Sequence, residues 1–405
     1  MSGLRPAEAD ALAPITGRRA AMLGQIEAWA AINSGSHNSA GLALMADVLT
    51  AAFAPLGAAV RRLPGAAGSR VDDAGQVQTV THGDNLHMVM RPDAPVRVLL
   101  TGHMDTVFGP AHPFQACRWL DADRLNGPGV ADMKGGIAVM LAALTAVDAS
   151  PFAANLGWEV VLNADEEISS PGSAPLLADA AGRCHLGLTF EPALPDGTLA
   201  GARAGSGNFA ATVHGRAAHA GRNPQDGRNA ILAAADLALR LAAAAGDDLA
   251  VNPAKIDGGG PGNIVPATAV LRWNMRPRTA MAQRRGEAAI NEAVAAVALA
   301  HDVHIHVHGG FARPPKPLDA NQQRLFNLVQ ACGADLGLGI AWRDTGGVCD
   351  GNNLAATGLA VVDTMGVRGG AIHSADEFLC ADSLEERARL AALVLMRAAQ
   401  RGWPR

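Results

Sequence analysis

The sequence is poor in charge and has no excess of basic residues. Of 405 residues, 33 are Lys or Arg and 38 are Asp or Glu, so charged residues make up 18% and the formal net charge is −5. Neutralising a phosphate backbone requires a clustered excess of Lys and Arg. Nucleic acid and anionic membranes are therefore not expected as partners. Hydrophobic residues reach 49%, which is typical of a globular chain, here with two or three domains.

Cysteine is scarce and scattered along the chain. The five cysteines are odd in number, and no two of them have CxxC spacing: Cys117, Cys184, Cys332, Cys349 and Cys380. This pattern favours neither a disulfide framework nor a cysteine zinc site. We expect a reducing compartment, and therefore a cytoplasmic protein.

The sequence also offers no obvious hydrophobic run of membrane length. Acidic residues and proline interrupt the first 34 residues, where a secretory signal would need an unbroken apolar stretch, so Met1 is expected to be the mature start. The most apolar later stretch, 231–245, contains Asp236 and Arg240 and is shorter than the ~20 residues of a membrane span. The sequence thus predicts no transmembrane segment.

Strand and helix patterns alternate along the first half of the chain, which predicts an α/β fold. Gly57 follows the second helical pattern, where a helix C-terminal glycine is expected. The predicted helices are 19–33, 39–56 and 135–147, and the predicted strands are 86–90, 96–101, 159–163 and 186–190.

From about residue 204 the order of the predicted elements changes. They are strand 208–214, helix 229–245, strand 269–275, helix 279–300 and strand 303–308. This order suits a small α+β domain with an antiparallel sheet. Pro314, Pro315 and Pro317 then break the chain. The sequence predicts an inserted domain, 204–312, between two parts of a catalytic domain, 1–203 and 313–405.

Polar residues that can bind metals follow several of the predicted strands or lie in glycine-rich turns. Open α/β sheets bind ligands at the carboxyl ends of their strands, and oxygen and nitrogen ligands suit zinc or a similar divalent ion. The candidates are His103, Asp132, Glu166, Glu167, Glu191 and His373.

Parts of these segments also fit other interpretations. Asp132 could be an ordinary helix N-cap, and its glycine-rich loop could hold phosphate, but GxxxxGK[ST] is absent. Ser206 lies in GSG and could suggest a serine hydrolase, but the GxSxG motif of such enzymes is absent from the sequence. The metal interpretation is therefore favoured.

Six motifs occur in order: HMDTV, NGPGVADMKGG, NADEE, EPA, GRAAHAG and HSADE. In order and spacing they resemble the di-zinc metallopeptidase and aminoacylase family, which contains glutamate carboxypeptidase, acetylornithine deacetylase and succinyl-diaminopimelate desuccinylase. The resemblance runs from about residue 85 to the C-terminus and is nearest to the glutamate carboxypeptidase branch. It implies a mixed-sheet, zinc-exopeptidase-like catalytic domain with an inserted α+β domain for lid closure and dimerisation.

The resemblance implies two Zn²⁺ per subunit, although Co²⁺ or Mn²⁺ could use the same ligands. Asp132 would bridge the two ions, Glu167 and His373 would complete one site, and His103 and Glu191 would complete the other. Asp105 would orient His103. The peptide bond between Asp132 and Met133 would be cis.

The implied reaction is cleavage of an amide bond next to a free C-terminal carboxylate by a zinc-bound hydroxide. Glu166 would take the proton of the water and pass it to the departing amine. The released product would be an amino acid such as glutamate, from a peptide or N-acyl conjugate. The alternatives are an N-acyl-amino-acid deacylase with the same mechanism and a catalytically silent binding protein.

The resemblance also assigns roles within the inserted domain. His219 would stabilise the oxyanion, either in its own subunit or from the partner subunit of a homodimer. Arg276 would bind the substrate carboxylate, assisted by Asn263. Two positions depart from the family pattern: Cys349 stands where serine is usual, and Asn274 where an acidic residue is common. Cys349 is expected to be inert.

Four histidines near the end of the inserted domain suggest a second metal site only weakly. Three of them, His304, His306 and His308, have the period of a strand and are expected on its exposed face.

Overall fold

The computed structural model describes residues 3–403. In this range the α-helices are α1 (Pro6–Leu12), α2 (Arg19–Ala30), α3 (Ser39–Phe53), α4 (Gly135–Asp148), α5 (Ala174–Arg183), α6 (Ala230–Ala243), α7 (Ala280–His301), α8 (Ala320–Asp335), α9 (Asp350–Ala356) and α10 (Ser383–Arg401). The strands are β1 (Ala59–Leu63), β2 (Gly68–Val71), β3 (Val77–Val80), β4 (Asn85–Met90), β5 (Val96–His103), β6 (Arg118–Trp119), β7 (Arg124–Asn126), β8 (Leu156–Asn163), β9 (Leu186–Thr189), β10 (Leu199–Arg203), β11 (Ser206–His214), β12 (Leu249–Gly258), β13 (Thr268–Pro277), β14 (His304–Arg313), β15 (Trp342–Thr345), β16 (Ala360–Val362), β17 (Gly369–Gly370) and β18 (Phe378–Cys380).

The main sheet has the order β1-β4-β8-β5-β9-β16. Strands β8, β5, β9 and β16 run parallel, whereas β1 and β4 are antiparallel to their neighbours. Every residue of β8 is buried, as expected for a parallel strand covered on both faces. The predicted α/β fold with a mixed sheet is confirmed.

Helices cover both faces of this sheet, and alternate strand residues serve each face. Leu100 and Val160 belong to the core shared with α4 and α10, whereas Leu99 and Val161 pack in a separate cluster with α5 and α9. The apolar runs that predicted the central strands arise from this covering on both sides. Because the parallel strands point the same way, the segments after β5, β8 and β9 meet at one edge of the sheet.

A second sheet, of order β12-β13-β11-β14, is entirely antiparallel. Helices α6 and α7 pack on one face of it through a core that includes Leu237, Leu271 and Val297. The predicted α+β character of this segment is confirmed. Sequence reasoning missed β12, because it is an edge strand whose residues are mostly exposed and which contains Pro253.

The hairpin arm, formed by β2 and β3 and the turn between them, contacts the same inserted sheet. At its tip, Asp73 pairs with Lys255 at 3.0 Å and with Arg272 at 2.9 Å. Arg272 also donates to the carbonyl of Val71 at 3.1 Å. This arm was not predicted, because its strands are short and mostly exposed.

The chain leaves and re-enters the main body at one point. Arg203 and Lys316 exchange backbone hydrogen bonds, with N to O distances of 2.9 and 3.0 Å. The whole inserted sheet lies between these two residues in the sequence.

Two helical segments, Ser39–Leu56 and Val130–Asp148, are long and apolar enough to cross a membrane by length and composition alone. Sequence reasoning predicted a helix in each segment but did not recognise that either has the length and composition of a membrane span. The second is 89% buried inside the molecule, as core helices are, and the first is 28% buried. The first contributes Leu42, Met45 and Leu49 to the main core.

Candidate metal centre

The first ligand group consists of His103, Asp132 and Glu191, all buried. Nε2 of His103 lies 3.0 Å from Oδ1 of Asp132 and 3.8 Å from Oε1 of Glu191. His103 ends β5, and Glu191 follows β9, the neighbouring parallel strand. The strand edge thus delivers both side chains to one place.

The second ligand group consists of Asp132, Glu167 and His373. Nε2 of His373 lies 3.3 Å from Oδ2 of Asp132 and 3.0 Å from Oε2 of Glu167. Asp132 therefore belongs to both groups and offers one carboxylate oxygen to each. Within residues 3–403, these are the two sets of three ligand atoms that lie within 4.8 Å of one another.

The loop that carries Asp132 is held by backbone hydrogen bonds to Glu377. The Glu377 carboxylate accepts from the backbone N–H groups of Gly129, Ala131 and Asp132 at 3.1, 2.9 and 3.0 Å. The peptide bond between Asp132 and Met133 is cis, as the resemblance implied. Sequence reasoning quoted Glu377 within HSADE but gave it no role.

The carboxylate of Asp105 contacts both the ring of His103 and the turn that carries Glu166 and Glu167. Its carboxylate lies 3.4 Å from Nδ1 of His103, whose Nε2 faces Asp132. It also accepts from the backbone N–H groups of Glu166 and Glu167 at 3.2 and 3.1 Å. A completely buried carboxylate with these contacts fixes the His103 ring and the start of the acidic turn together.

Glu166 lies beside the ligand groups, and neither of them includes it. Its Oε1 is 2.7 Å from Nη2 of Arg313, a buried guanidinium that also approaches Asp350 at 3.6 Å. Burial raises the pKa of Glu166 to about 6, although the charges of Arg313 and His103 oppose this. A glutamate with a pKa near neutrality can both accept and return a proton. Sequence reasoning missed Arg313, which it used only as a domain boundary.

The site concentrates more buried negative charge than its two histidines can offset. Burial, followed by the charge of Asp132, raises the pKa of Glu167 to about 8 and that of Glu191 well above its ordinary range. Hydrogen bonds that His373 donates to Asp132 and Glu167 raise the pKa of its ring to about 11. Three carboxylates in contact with two imidazoles, those of Asp132, Glu167 and Glu191, form a donor set that fits divalent cations.

A cavity of about 440 Å³ opens onto these residues. Asp132, Glu166, Glu191 and His373 line it from the metal side. The rest of its lining comes from the segments around β10, β13 and β15 and includes Pro192, Leu194, Leu199, Arg203, Arg276, Arg343, Thr345, Val348, Cys349 and Ile372.

The three residues assigned to the inserted domain fall in two places. Arg276 lines the cavity, whereas His219 and Asn263 are exposed and do not line it. The latter two are neighbours, because the backbone N–H of Ala220 donates to the carbonyl of Asn263 at 2.9 Å. A single chain therefore does not bring His219 and Asn263 to the metal ligands.

The two departures from the family pattern both adjoin the cavity. Cys349 is 2% exposed and is the N-cap residue of α9, where its Sγ accepts from the backbone N–H of Gly351 at 3.3 Å. Burial raises the pKa of its thiol well above the ordinary value. Asn274 donates to Oγ of Ser206 at 3.0 Å and accepts from Nε of Arg276 at 3.1 Å.

The strand histidines do not form a ligand group in the part of the chain that the structure describes. His304, His306 and His308 alternate with Ile305 and Val307, which pack toward α6 and α7. His304 and His306 are exposed and His308 is half-buried, close to the expectation of a solvent-facing row.

A shared buried aspartate, two histidines and two glutamates at the carboxyl edge of a mixed sheet, with a further glutamate beside them, define a metal-dependent hydrolase. Residues 99–397 match the peptidase family M20/M25/M40, and the chain belongs to this family. It is a hydrolytic enzyme of the metallopeptidase and amidohydrolase type.

Individual relatives agree with this assignment. A carboxypeptidase G2 from Pseudomonas sp. (strain RS-16) is 29% identical over 398 residues, which are 94% of this chain and 90% of that protein. A succinyl-diaminopimelate desuccinylase from Maricaulis maris (strain MCS10) is 30% identical over 371 residues, 84% of this chain and 86% of that protein. The solved structure of Bacillus subtilis YXEP, a dinuclear metal binding peptidase, has a TM-score of 0.66 at 13% identity and covers 94% of this chain and 98% of that one.

Proposed function

We propose that this enzyme is a glutamate carboxypeptidase-like metallopeptidase that cleaves an amide bond next to a free C-terminal carboxylate. One observation carries the proposal: the cavity that exposes Asp132, Glu166 and Glu191 also exposes the guanidinium of Arg276. A substrate can thus present its amide to the acidic residues while its carboxylate meets a cation.

Two Zn²⁺ ions fit the donor set, with Co²⁺ or Mn²⁺ as alternatives that use the same ligands. His103 and Glu191 would hold one ion, Glu167 and His373 the other, and Asp132 both. When bound, such ions lower the pKa of a water molecule and polarise an amide carbonyl.

Glu166 would act as the general base and then as the general acid. Its raised pKa allows it to take a proton from the attacking water and return it to the departing amine nitrogen. Arg313, 2.7 Å from its carboxylate, would hold it in one orientation.

His219 would donate to the oxygen that becomes negative during attack, and Asn263 would assist in binding the substrate carboxylate. Both are exposed and outside the cavity of their own chain, so we propose that they act on the cavity of a partner subunit in a homodimer. The inserted domain, with the boundaries 204–312, would carry this interface.

The five free cysteines support a reducing, cytoplasmic location for the enzyme. A second candidate function is N-acyl-amino-acid deacylation by the same residues, favoured by the similarity to a desuccinylase.

The test compares wild type, Glu166→Gln and the control Glu292→Gln, an exposed glutamate on α7, after loading with zinc. We expect wild type and Glu292→Gln to release glutamate from N-acyl and peptidyl glutamate, and Glu166→Gln to lose at least ~100-fold in kcat while retaining its zinc content. Cleavage of N-acetyl or N-succinyl derivatives of other amino acids in preference to glutamate conjugates would favour the deacylase. Equal inactivity of all three proteins, each with zinc bound, would contradict hydrolysis and favour a binding protein.

A further inference from the structure

Three arginines line the cavity, and two of them, Arg276 and Arg343, have no acidic partner among the described residues. Arg276 lies on β13 of the inserted sheet and Arg343 on β15, beside the segment from Thr345 to Gly347. Neither guanidinium forms an ion pair with any acidic residue in the part of the chain that the structure describes. Their charges are therefore available to a ligand.

Arg276 is fixed in place by neutral acceptors. Its Nε donates to Oδ1 of Asn274 at 3.1 Å, and its Nη1 donates to the carbonyl of Gly346 at 3.0 Å. Since neither acceptor is charged, the guanidinium is oriented but its positive charge is not neutralised. Nη2 has no such partner among the described residues and can reach a carboxylate in the cavity.

Arg343 differs from Arg276 because nothing in residues 3–403 holds its side chain by a hydrogen bond. Its backbone is well placed, since β15 pairs in parallel with β10 and brings Arg343 opposite Ala200. Ala200 lines the same cavity. The positive charge of Arg343 lowers the pKa of the exposed Asp196, although hydrogen bonds within the turn of Asp196 lower this pKa more. A long, unpaired cation at a cavity wall is suited to a second anionic group.

The side chains behind this wall of the cavity also carry a net positive charge, as Arg343 does. Asp363 accepts from Nε of Arg203 and from Nζ of Lys316, both at 2.8 Å, and all three side chains are buried. Two cations thus share one carboxylate, which leaves about one uncompensated positive charge in a medium of low dielectric constant. Arg203 also lines the cavity. An anion bound near Arg343 would therefore be stabilised by more than one cation.

From this arrangement we propose that Arg343 binds a second carboxylate, on the side chain of the amino acid that the enzyme releases. The preferred substrates are then amides of dicarboxylic amino acids, in which Arg276 binds the α-carboxylate and Arg343 the side-chain carboxylate. The apolar lining residues Leu194 and Leu199 lie along the aliphatic part of that side chain. This inference rests on the proposed function and assigns its specificity to a residue outside the metal ligands.

The test uses two isosteric substrates, N-acyl-glutamate and N-acyl-glutamine with the same acyl group, which differ in one charge. A charge-assisted hydrogen bond makes wild type prefer the glutamate conjugate by about 10- to 100-fold in kcat/KM. Arg343→Gln loses most of this preference through a higher KM for the glutamate conjugate, and its rate with the glutamine conjugate changes less than ~3-fold. Arg324→Gln, an exposed arginine on α8 outside the cavity, is the control and behaves as wild type.

Calorimetric binding of free glutamate and free glutamine to the same three proteins gives a readout that does not depend on turnover. Arg343→Gln weakens glutamate binding about 10-fold or more and leaves glutamine binding unchanged. Equal slowing of both substrates by Arg343→Gln, or a wild type without preference in cleavage and in binding, overturns the inference. If no amide is cleaved but the difference in binding persists, the proposed function fails and the role of Arg343 stands.

Discussion

Glu377 supports the shared ligand Asp132 without belonging to either ligand group. Three backbone N–H groups of the Asp132 loop donate to its buried carboxylate, and burial together with the charge of Asp132 raises its pKa to about 7. The loop consequently depends on a side chain about 245 residues away in the sequence.

We expect Glu377→Gln to weaken zinc binding by about 10- to 100-fold, because an amide nitrogen replaces an acceptor oxygen and the loop loses part of its support. Zinc titration calorimetry measures the change. The matched control is Asp376→Asn, at the exposed neighbouring position. Unchanged zinc affinity in Glu377→Gln would mean that the loop keeps its shape without this carboxylate.

The residues that sequence reasoning missed share one property. Glu377 and Arg313 act through groups distant in the chain. Glu377 lies within the HSADE motif, but its contact with the Asp132 loop cannot be read from the local sequence, and the surroundings of Arg313 carry no motif. The ligands themselves could be found because each follows a strand or lies in a recognisable motif. The exposed position of His219, outside the cavity of its own chain, is likewise not encoded in any local pattern.

At the scale of elements, the hairpin arm holds the inserted sheet against the main body. Gly75 at its tip has φ 82°, and a Cβ atom there would lie 2.6 Å from Cγ2 of Thr212 on β11. Asp73, two residues earlier, pairs with two cations of the inserted sheet. The turn therefore needs a residue that both adopts this conformation and allows close contact.

We expect Gly75→Ala to loosen this contact and to speed amide hydrogen exchange in β2, β3 and β11 by at least ~10-fold. Gly17→Ala is the control, because Gly17 has a similar φ of 81° but a Cβ atom there would meet nothing within 4 Å. It isolates backbone strain from packing. Equal exchange rates in the two variants would show that the contact with Thr212 is unimportant.

Local patterns predicted elements well where packing follows a period and poorly where it does not. Strands β5 and β8 were found because both of their faces are buried, and α7 because its apolar residues recur on a face. Edge strand β12 was missed because its exposed residues carry no such pattern. Strand β12 is specified by its pairing with β13, a contact that cannot be predicted from the local sequence of β12.

At the scale of the whole molecule, the first and last helices are joined by a buried ion pair. Nε and Nη2 of Arg397 donate to the two carboxylate oxygens of Glu8 at 3.0 and 3.1 Å. Burial alone would raise the pKa of Glu8, but hydrogen bonds from Arg397 and Arg5 outweigh it and lower the pKa from 4.5 to about 2.

Because the pKa of Glu8 is lower in the folded state, its contribution to stability is complete above pH 4.5 and is lost as the pH falls toward 2. We expect Glu8→Gln to lower the free energy of unfolding by up to about 3 kcal/mol at pH 7, and the difference from wild type to shrink below pH 4.5. Urea denaturation across this pH range measures it. Asp10→Asn, exposed on the same helix, should match wild type, and a difference independent of pH would refute the assignment.

The mutual hydrogen bonds of Arg203 and Lys316 make the inserted segment a side branch of the main body. Its entrance and exit are one strand spacing apart, about 5 Å, a gap that a two-residue turn can close. Strands β5, β8 and β9 all precede the branch point. The branch can therefore be added or removed without rethreading the main sheet, but its removal would also take away Arg276 of the cavity and Arg313 beside Glu166.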